Sequence, residues 1–118
     1  MKRIILEMGT GNDLYGEDYT KAACRAVDDA LHHSSLILFR SLGYDHADME
    51  VRVTIAVQDP SKVDTAVVAG KLPRGKAFVT LVKGGLDVVD DVHNTRSVIA
   101  TAAVEAYLDI NPDDWVAA

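Results

Sequence analysis

The sequence predicts an α+β fold from three observations. Short strand-like apolar runs alternate with segments of helical periodicity, the clearest strand is polar on one face only, and no apolar run reaches the ~20 residues that a membrane span needs. We expect one domain over residues 1–118. It should hold a single small sheet of three to four mostly antiparallel or mixed strands, with helices packed on one face in the order β-α-β-α-β-β-α. A composition of 48% apolar and 25% charged residues suits a soluble globular chain.

Lys2 to Met8 reads as the first strand, its consecutive Ile4-Ile5-Leu6 indicating burial on both faces. A glycine-rich loop follows, Gly9-Thr10-Gly11-Asn12-Asp13-Leu14-Tyr15-Gly16-Glu17-Asp18. Asp18 is placed to cap a helix in which Tyr19, Ala22, Ala23, Ala26, Val27 and Ala30 share a small apolar face. His32-His33-Ser34-Ser35 should close or bend that helix, and Leu36 to Leu42 should continue it to Gly43, before a polar loop from Tyr44 to Asp48. Met49 to Gln58 is the clearest strand, with Val51, Val53, Ile55 and Val57 alternating with polar residues. Asp59 and Pro60 open a helix ending at Gly70, and Leu72-Pro73-Arg74-Gly75 forms a turn. Lys76 to Lys83 is a third strand, Gly84-Gly85 a tight turn or bulge, and Leu86 to Val89 a short fourth strand. A last helix is expected from Asn94 to Leu108, with Val98, Ile99, Ala102, Ala103 and Ala106 facing inward. Asn111-Pro112 prevents its continuation, and Trp115-Val116-Ala117-Ala118 should dock on the core or on a neighbouring subunit.

The net charge of −6 and the scattered Lys and Arg argue against nucleic acid as a partner, since such binding draws on clustered cations. The apolar run after Met1-Lys2-Arg3 stops at Glu7, too short for a secretory leader, so a cytoplasmic location is expected, with no membrane partner. Cys24 has no second cysteine to pair with; a reducing compartment and a half-buried place on the first helix fit it. A small sheet with one open face favours a homo-oligomer that covers that face or pairs an edge strand.

Two places carry candidate chemistry. Gly9, Gly11 and Gly16 stand between a strand and a helix, the context of an anion cradle. Their spacing misses the dinucleotide fingerprint, and Asp13, Glu17 and Asp18 would repel phosphate. A carboxylate on such a loop suits a general base, a metal ligand or an acceptor for a substrate N–H; equally, Asp13 can form an Asx-turn that only holds the loop. The second place is Lys83-Gly84-Gly85, where one cation and exposed backbone N–H groups could hold a carboxylate or a developing oxyanion, and where a plain hairpin turn accounts for the residues as well. Asp28 with His32, or Asp29 with His32 and His33, could share a helix face with His46 or His93 brought from elsewhere. That spacing is permissive, and histidine near a helix C-terminus is stabilised by the dipole without a metal, so no metal site is assigned and no cofactor is named.

The stretches Gly9-Thr10-Gly11-Asn12-Asp13-Leu14-Tyr15-Gly16, Asp18-Tyr19-Thr20-Lys21-Ala22-Ala23, Asp29-Ala30-Leu31-His32-His33 and Lys83-Gly84-Gly85-Leu86 resemble a small bacterial and plant family of conserved hypothetical proteins. The resemblance covers roughly residues 1–108, and its signature is an N-terminal G-x-G-x-D-x-H-G. It implies a site at the glycine loop and names no reaction. The histidine of that signature is Tyr15 here, which removes an imidazole ligand with a near-neutral pKa. The predicted unit is also similar to the repeated units of ring-opening cyclic amide hydrolases, whose active sites lie between repeats.

The resulting expectation is a small-molecule-binding protein or small enzyme, acting by amide-type hydrolysis or isomerisation, with its site near a subunit interface. Asp13 would be the anchoring carboxylate or base and Lys83 the cation. Gly9, Gly11, Gly16, Thr20, Lys21, Gly84 and Gly85 would bind the ligand. The alternative is a non-catalytic oligomerisation module in which the glycine loop forms a subunit contact.

Overall fold

Glycines in a strand let another backbone come close, and here two of them set the position of the first helix. In the computed structural model, which describes residues 2–14, 16–32, 49–72 and 76–109, strand β1 runs over Lys2–Asp13 and helix α1 over Tyr19–His32. A Cβ at Gly11 would stand 2.3 Å from Ala26 N and 2.4 Å from Ala22 O, and one at Gly9 would stand 2.4 Å from Ala26 O and Ala30 N. The helix backbone therefore lies directly on the strand. The glycine-rich loop expected from residue 9 is in its first half the end of β1, and the group to which Gly9 and Gly11 grant close approach is α1.

The last expected helix is a strand. Strand β5 (Thr95–Leu108) is buried at Val98, Ala100, Ala102, Val104, Ala106 and Leu108, a period of two. Its inward alanines and valines also satisfy helical spacing, and alanine favours helix, which is why the sequence reads as one. The sheet overrides that preference because α1 needs small residues beneath it: Ala102 is paired with Gly9 and Ala100 with Gly11. The helix supplies the matching small face, with Ala22, Ala23, Ala26 and Ala30 fully buried.

Strands β2 (Glu50–Val57), β3 (Lys76–Lys83) and β4 (Leu86–Asp90) complete one mixed sheet of five strands, against the three to four expected. The order is β1-β5-β2-β3, with β4 also paired to β5. β2 meets β5 antiparallel over Thr101 to Tyr107 and β4 meets it over Thr95 to Ile99, so β4 continues the line that β2 leaves. β3 lies parallel to β2. Their connection holds a 3-10 turn at Pro60–Lys62 and helix α2 (Thr65–Ala69), in place of one helix from Asp59 to Gly70. Asp59 makes no side-chain cap bond, whereas the Asp64 carboxylate accepts from Ala66 N and Val67 N and starts α2 afresh.

Gly84-Gly85 is not a hairpin turn, since β3 and β4 are not partners. It carries the chain from the outer side of β2 to β5. Gly85 has φ +65, and a Cβ there would lie 2.3 Å from Ile99 O. The Gln58 Nε2 donates to Gly84 O and Gly85 O at 2.9 and 3.3 Å, and Gly84 N donates to Val57 O at 2.9 Å. Asn94, expected to open a helix, sits at φ 52 in the β4–β5 turn, where Asp90 Oδ1 accepts from Val92 N and His93 N. The expected helical segment from Leu36 to Leu42, the loop to Asp48, most of the 72–75 turn, and the C-terminal tail lie outside the described residues.

Gly11→Ala should destabilise the fold by about 3 kcal/mol, because neither strand nor helix backbone can move away without unpairing the other. Gly70→Ala, whose Cβ meets nothing nearer than 3.4 Å at an ordinary helical φ of −64, should be neutral or stabilising by up to ~1 kcal/mol. Urea denaturation of the two variants measures the contrast.

Candidate functional site

The corner between β1 and α1 is built around Asp13, the one buried charged side chain among the described residues, 6% exposed. Its Oδ2 accepts from Asp18 N at 3.0 Å, and its Oδ1 lies 3.5 Å from Arg25 Nη1. A Cβ at Gly16 would stand 2.4 Å from Asp13 Oδ2, so that glycine makes room for the carboxylate. Glu17 turns the chain at φ 51, and Asp18 Oδ1 then accepts from Lys21 N at 3.1 Å, the cap the sequence predicts. Asp13 thus accepts from the backbone five residues on, across the turn, and adds an ion pair to the helix.

On the helix-side face of the sheet, Asp13 and Asp87 flank Val98 on either side of β5. The Tyr19 hydroxyl donates a short hydrogen bond to Asp87 Oδ2, and Arg96 Nη1 lies 3.9 Å from the same oxygen. Asp87 Oδ1 is buried without a hydrogen-bond partner. Lys62 Nζ stands 5.8 Å from the centre of the Tyr19 ring. Burial, then the bond to Asp87, raises the Tyr19 pKa above its ordinary value.

The outer side of α1 forms one wall of a groove of about 510 Å³ whose other wall is α2 with Lys71. Asp18, Thr20, Lys21, Cys24, Arg25, Asp28, Val67 and Lys71 line it. Three of these are cations and two line it from consecutive turns of α1, since Lys21 and Arg25 are four residues apart. Lys71 Nζ lies 3.8 Å from Asp28, and Arg25 Nη1 donates to Asn12 O at 2.6 Å, tying the groove to the Asp13 corner. Thr20 Oγ1 donates to Lys62 O and accepts from Asp64 N, bracing α1 against the segment that leads into α2. Cys24 is buried beneath the groove, and burial raises its thiol pKa.

The predicted site residues fall into separate groups. Asp13, Gly16, Thr20 and Lys21 lie around the start of α1, whereas Gly9 and Gly11 are covered by the helix. Lys83 lies at the end of β3, with β2 and β5 between that strand and β1, about 14 Å away at three strand spacings, whereas Gly84 and Gly85 cross to the side of β5 away from β1. Gly84 spends its N–H on Val57, so it is no oxyanion donor. Among the described residues no three of His, Cys, Asp and Glu converge as metal ligands, and His93 pairs with Asp90 at 2.8 Å. His33, His46 and Tyr15 lie outside the described residues. The sequence reading missed Arg25 and Lys71 and weighed Asp28 only beside His32, although Arg25 and Asp28 extend the face of Lys21 at helical spacing. Tyr19 with Asp87 carried no local signal, because only the sheet brings residues so far apart in sequence together.

Residues 3–106 match the model of a family described as conserved hypothetical protein, the Lin0512 family. A solved structure from Nostoc punctiforme, titled an FtsZ-like protein of unknown function, is 34% identical, with a TM-score of 0.81 over 92% of this chain and 97% of that one. No curated protein matches. No described helix is long and apolar enough to cross a membrane.

The folded chain holds the Tyr19 proton more tightly than the unfolded chain, so the stability this group supplies is whole below the ordinary tyrosine pKa of 10.0 and is lost as pH rises through the raised folded-state value. Tyr19→Phe should cost about 1–3 kcal/mol at neutral pH, leaving Asp87 without its donor, and should flatten the decline of stability above pH ~10. Urea denaturation of both proteins across that range checks both effects.

Proposed function

We propose that this chain, which belongs to the Lin0512 family of conserved hypothetical proteins, is a small-molecule-binding protein that acts as a homo-oligomer and takes an anionic ligand in the groove between α1 and α2. The observation that carries this reading is the groove's lining: Lys21, Arg25 and Lys71 outnumber Asp18 and Asp28 on one concave surface of a chain whose net charge is −6. Carboxylates fit these cations, with Arg25 offering a planar fork and the lysines point charges. Asp13 acts here as an anchoring carboxylate rather than a base, fixing Arg25 at the rim while its own oxygens are held by Asp18 N and by that guanidinium.

The bonding of Asp13 also favours the second reading, a non-catalytic module whose β1–α1 corner is purely structural. Lys21 and Lys71 separate the two, since neither contributes to that corner. Titration of succinate and of inorganic phosphate at low salt, followed by calorimetry, should give saturable succinate binding in the wild type and at least a tenfold loss in Lys21→Ala and in Lys71→Ala with unchanged thermal stability. Binding by neither anion, or binding indifferent to both substitutions, would favour the structural module.

A further inference from the structure

Among the described residues, no element packs on the sheet face opposite α1. Leu6, Met8, Phe78, Val82, Leu86 and Val88 stand on it, each between 41% and 67% exposed. Between them Thr54, Ala56, Ile99, Thr101 and Ala103 form a small, low-relief centre. No ionisable residue occupies this face from Ser97 to Ala103 on β5 or at the neighbouring positions of the other strands, in a chain of which 25% is charged. The charges of the face stand at its two ends, Asp90 beside Thr95 at one and Glu50, Lys76, Arg52, Arg3 and Glu105 at the other. There Arg52 stacks over the Tyr107 ring at 4.1 Å and bonds Glu50 at 2.7 Å, while Glu105 accepts from Arg3 at 3.2 Å and from Tyr107 Oη at 2.7 Å.

We infer that a second copy of this chain covers this face, two sheets packing face to face as a twofold β-sandwich. The inference rests on the homo-oligomer reading above and names its interface. From Ser97 to Tyr107 the face runs about 33 Å along β5, and across four strand positions it is about 19 Å wide, on the order of 600 Å² in projection. Its accessible area is larger because side chains stand out from the plane, which brings the whole face toward the ~800 Å² per partner of a stable dimer. Its uncharged part, from Ser97 to Ala103, runs about 20 Å along β5, on the order of 400 Å² in projection.

Electrostatics selects a copy of the same chain. A net charge of −6 opposes self-association wherever the charges meet, but an uncharged centre can face itself without placing like charges together. The end at Tyr107 holds Arg3, Arg52 and Lys76 against Glu50 and Glu105, and Asp90 stands at the other end, so a twin packed antiparallel sets ends of opposite net charge together. In an isologous packing Ala103, which lies between Met8 and Thr54, falls near the centre of the contact.

Sedimentation velocity from about 1 to 100 μM tests this with the full chain. The wild type should sediment as a dimer. Ala103→Glu should raise the dissociation constant at least a hundredfold and give a folded monomer by circular dichroism, and Met8→Glu, at a more exposed site, should do the same if Ala103→Glu fails to fold. Val67→Glu, on exposed α2 across the sheet, should remain dimeric. A wild type that is monomeric throughout overturns both the oligomer and the interface, and if deletion of residues 110–118 then uncovers dye-binding apolar surface, the face belongs to the chain's own tail. An oligomer that survives both sheet-face substitutions leaves the homo-oligomer standing and overturns this interface.

Discussion

Most of the structure follows from how closely α1 lies on β1 and β5. An ordinary helix–sheet layer is spaced by side chains on both surfaces, but here the strand offers Gly9 and Gly11 and the helix offers Ala22, Ala26 and Ala30, so backbone meets backbone. The approach fixes the axial position of α1, because each glycine receives one turn of the helix. It fixes the chain's exit from β1, since the start of α1 must fall just beyond Asp13. It also fixes composition one strand further in, where Ala100 and Ala102 continue the trough that Gly11 and Gly9 begin.

The misreadings of the sequence trace to this same contact. A strand lined with Ala100, Ala102, Ala103 and Ala106 presents the composition of a helix, and its period of two is hidden because apolar residues occupy both faces: the inner set beneath α1 and Ile99 and Ala103 on the open side. A strand that ends in Gly-x-Gly likewise presents the composition of a loop. By contrast β2 was legible residue by residue, since Val51, Val53, Ile55 and Val57 alternate with polar neighbours, and the Asp18 cap was legible because capping is local. Topology was not. The parallel pairing of β2 with β3 and the way β4 extends β2's line along β5 depend on Gly84-Gly85 crossing between strands, and two glycines in sequence do not say whether they turn back or cross over.

The candidate site divides in the same way. Thr20 and Lys21 were readable as neighbours of Asp13 because one helix start holds them, and Arg25 follows on the same face. Lys83 shared with Asp13 only a chemical plausibility; two strands stand between β3 and β1. Asp87 shows the converse. In sequence it is one acid among several near the β4–β5 turn, yet the sheet seats it across Val98 from Asp13 and beneath the Tyr19 hydroxyl. The two aspartates do related work on α1: Asp13 holds the backbone at its start, and Asp87 holds the first side chain of its buried face.

Close packing on one side of the sheet bears on the other side as well. With glycine and alanine forming the trough, β1 and β5 bury little side-chain volume per residue under the helix, so the helix-side layer supplies less apolar burial than an equal area packed with leucine would. The Leu6, Met8, Phe78 and Leu86 side chains on the opposite face hold unburied apolar area of the kind that the trough lacks. A sheet that gives its inner face to backbone contact keeps its large apolar side chains on the outer face, where a partner surface would bury them. The small residues under α1 and the large apolar side chains behind them are therefore two sides of one division of labour: close backbone packing on the inner face, and the bulky apolar groups on the outer one.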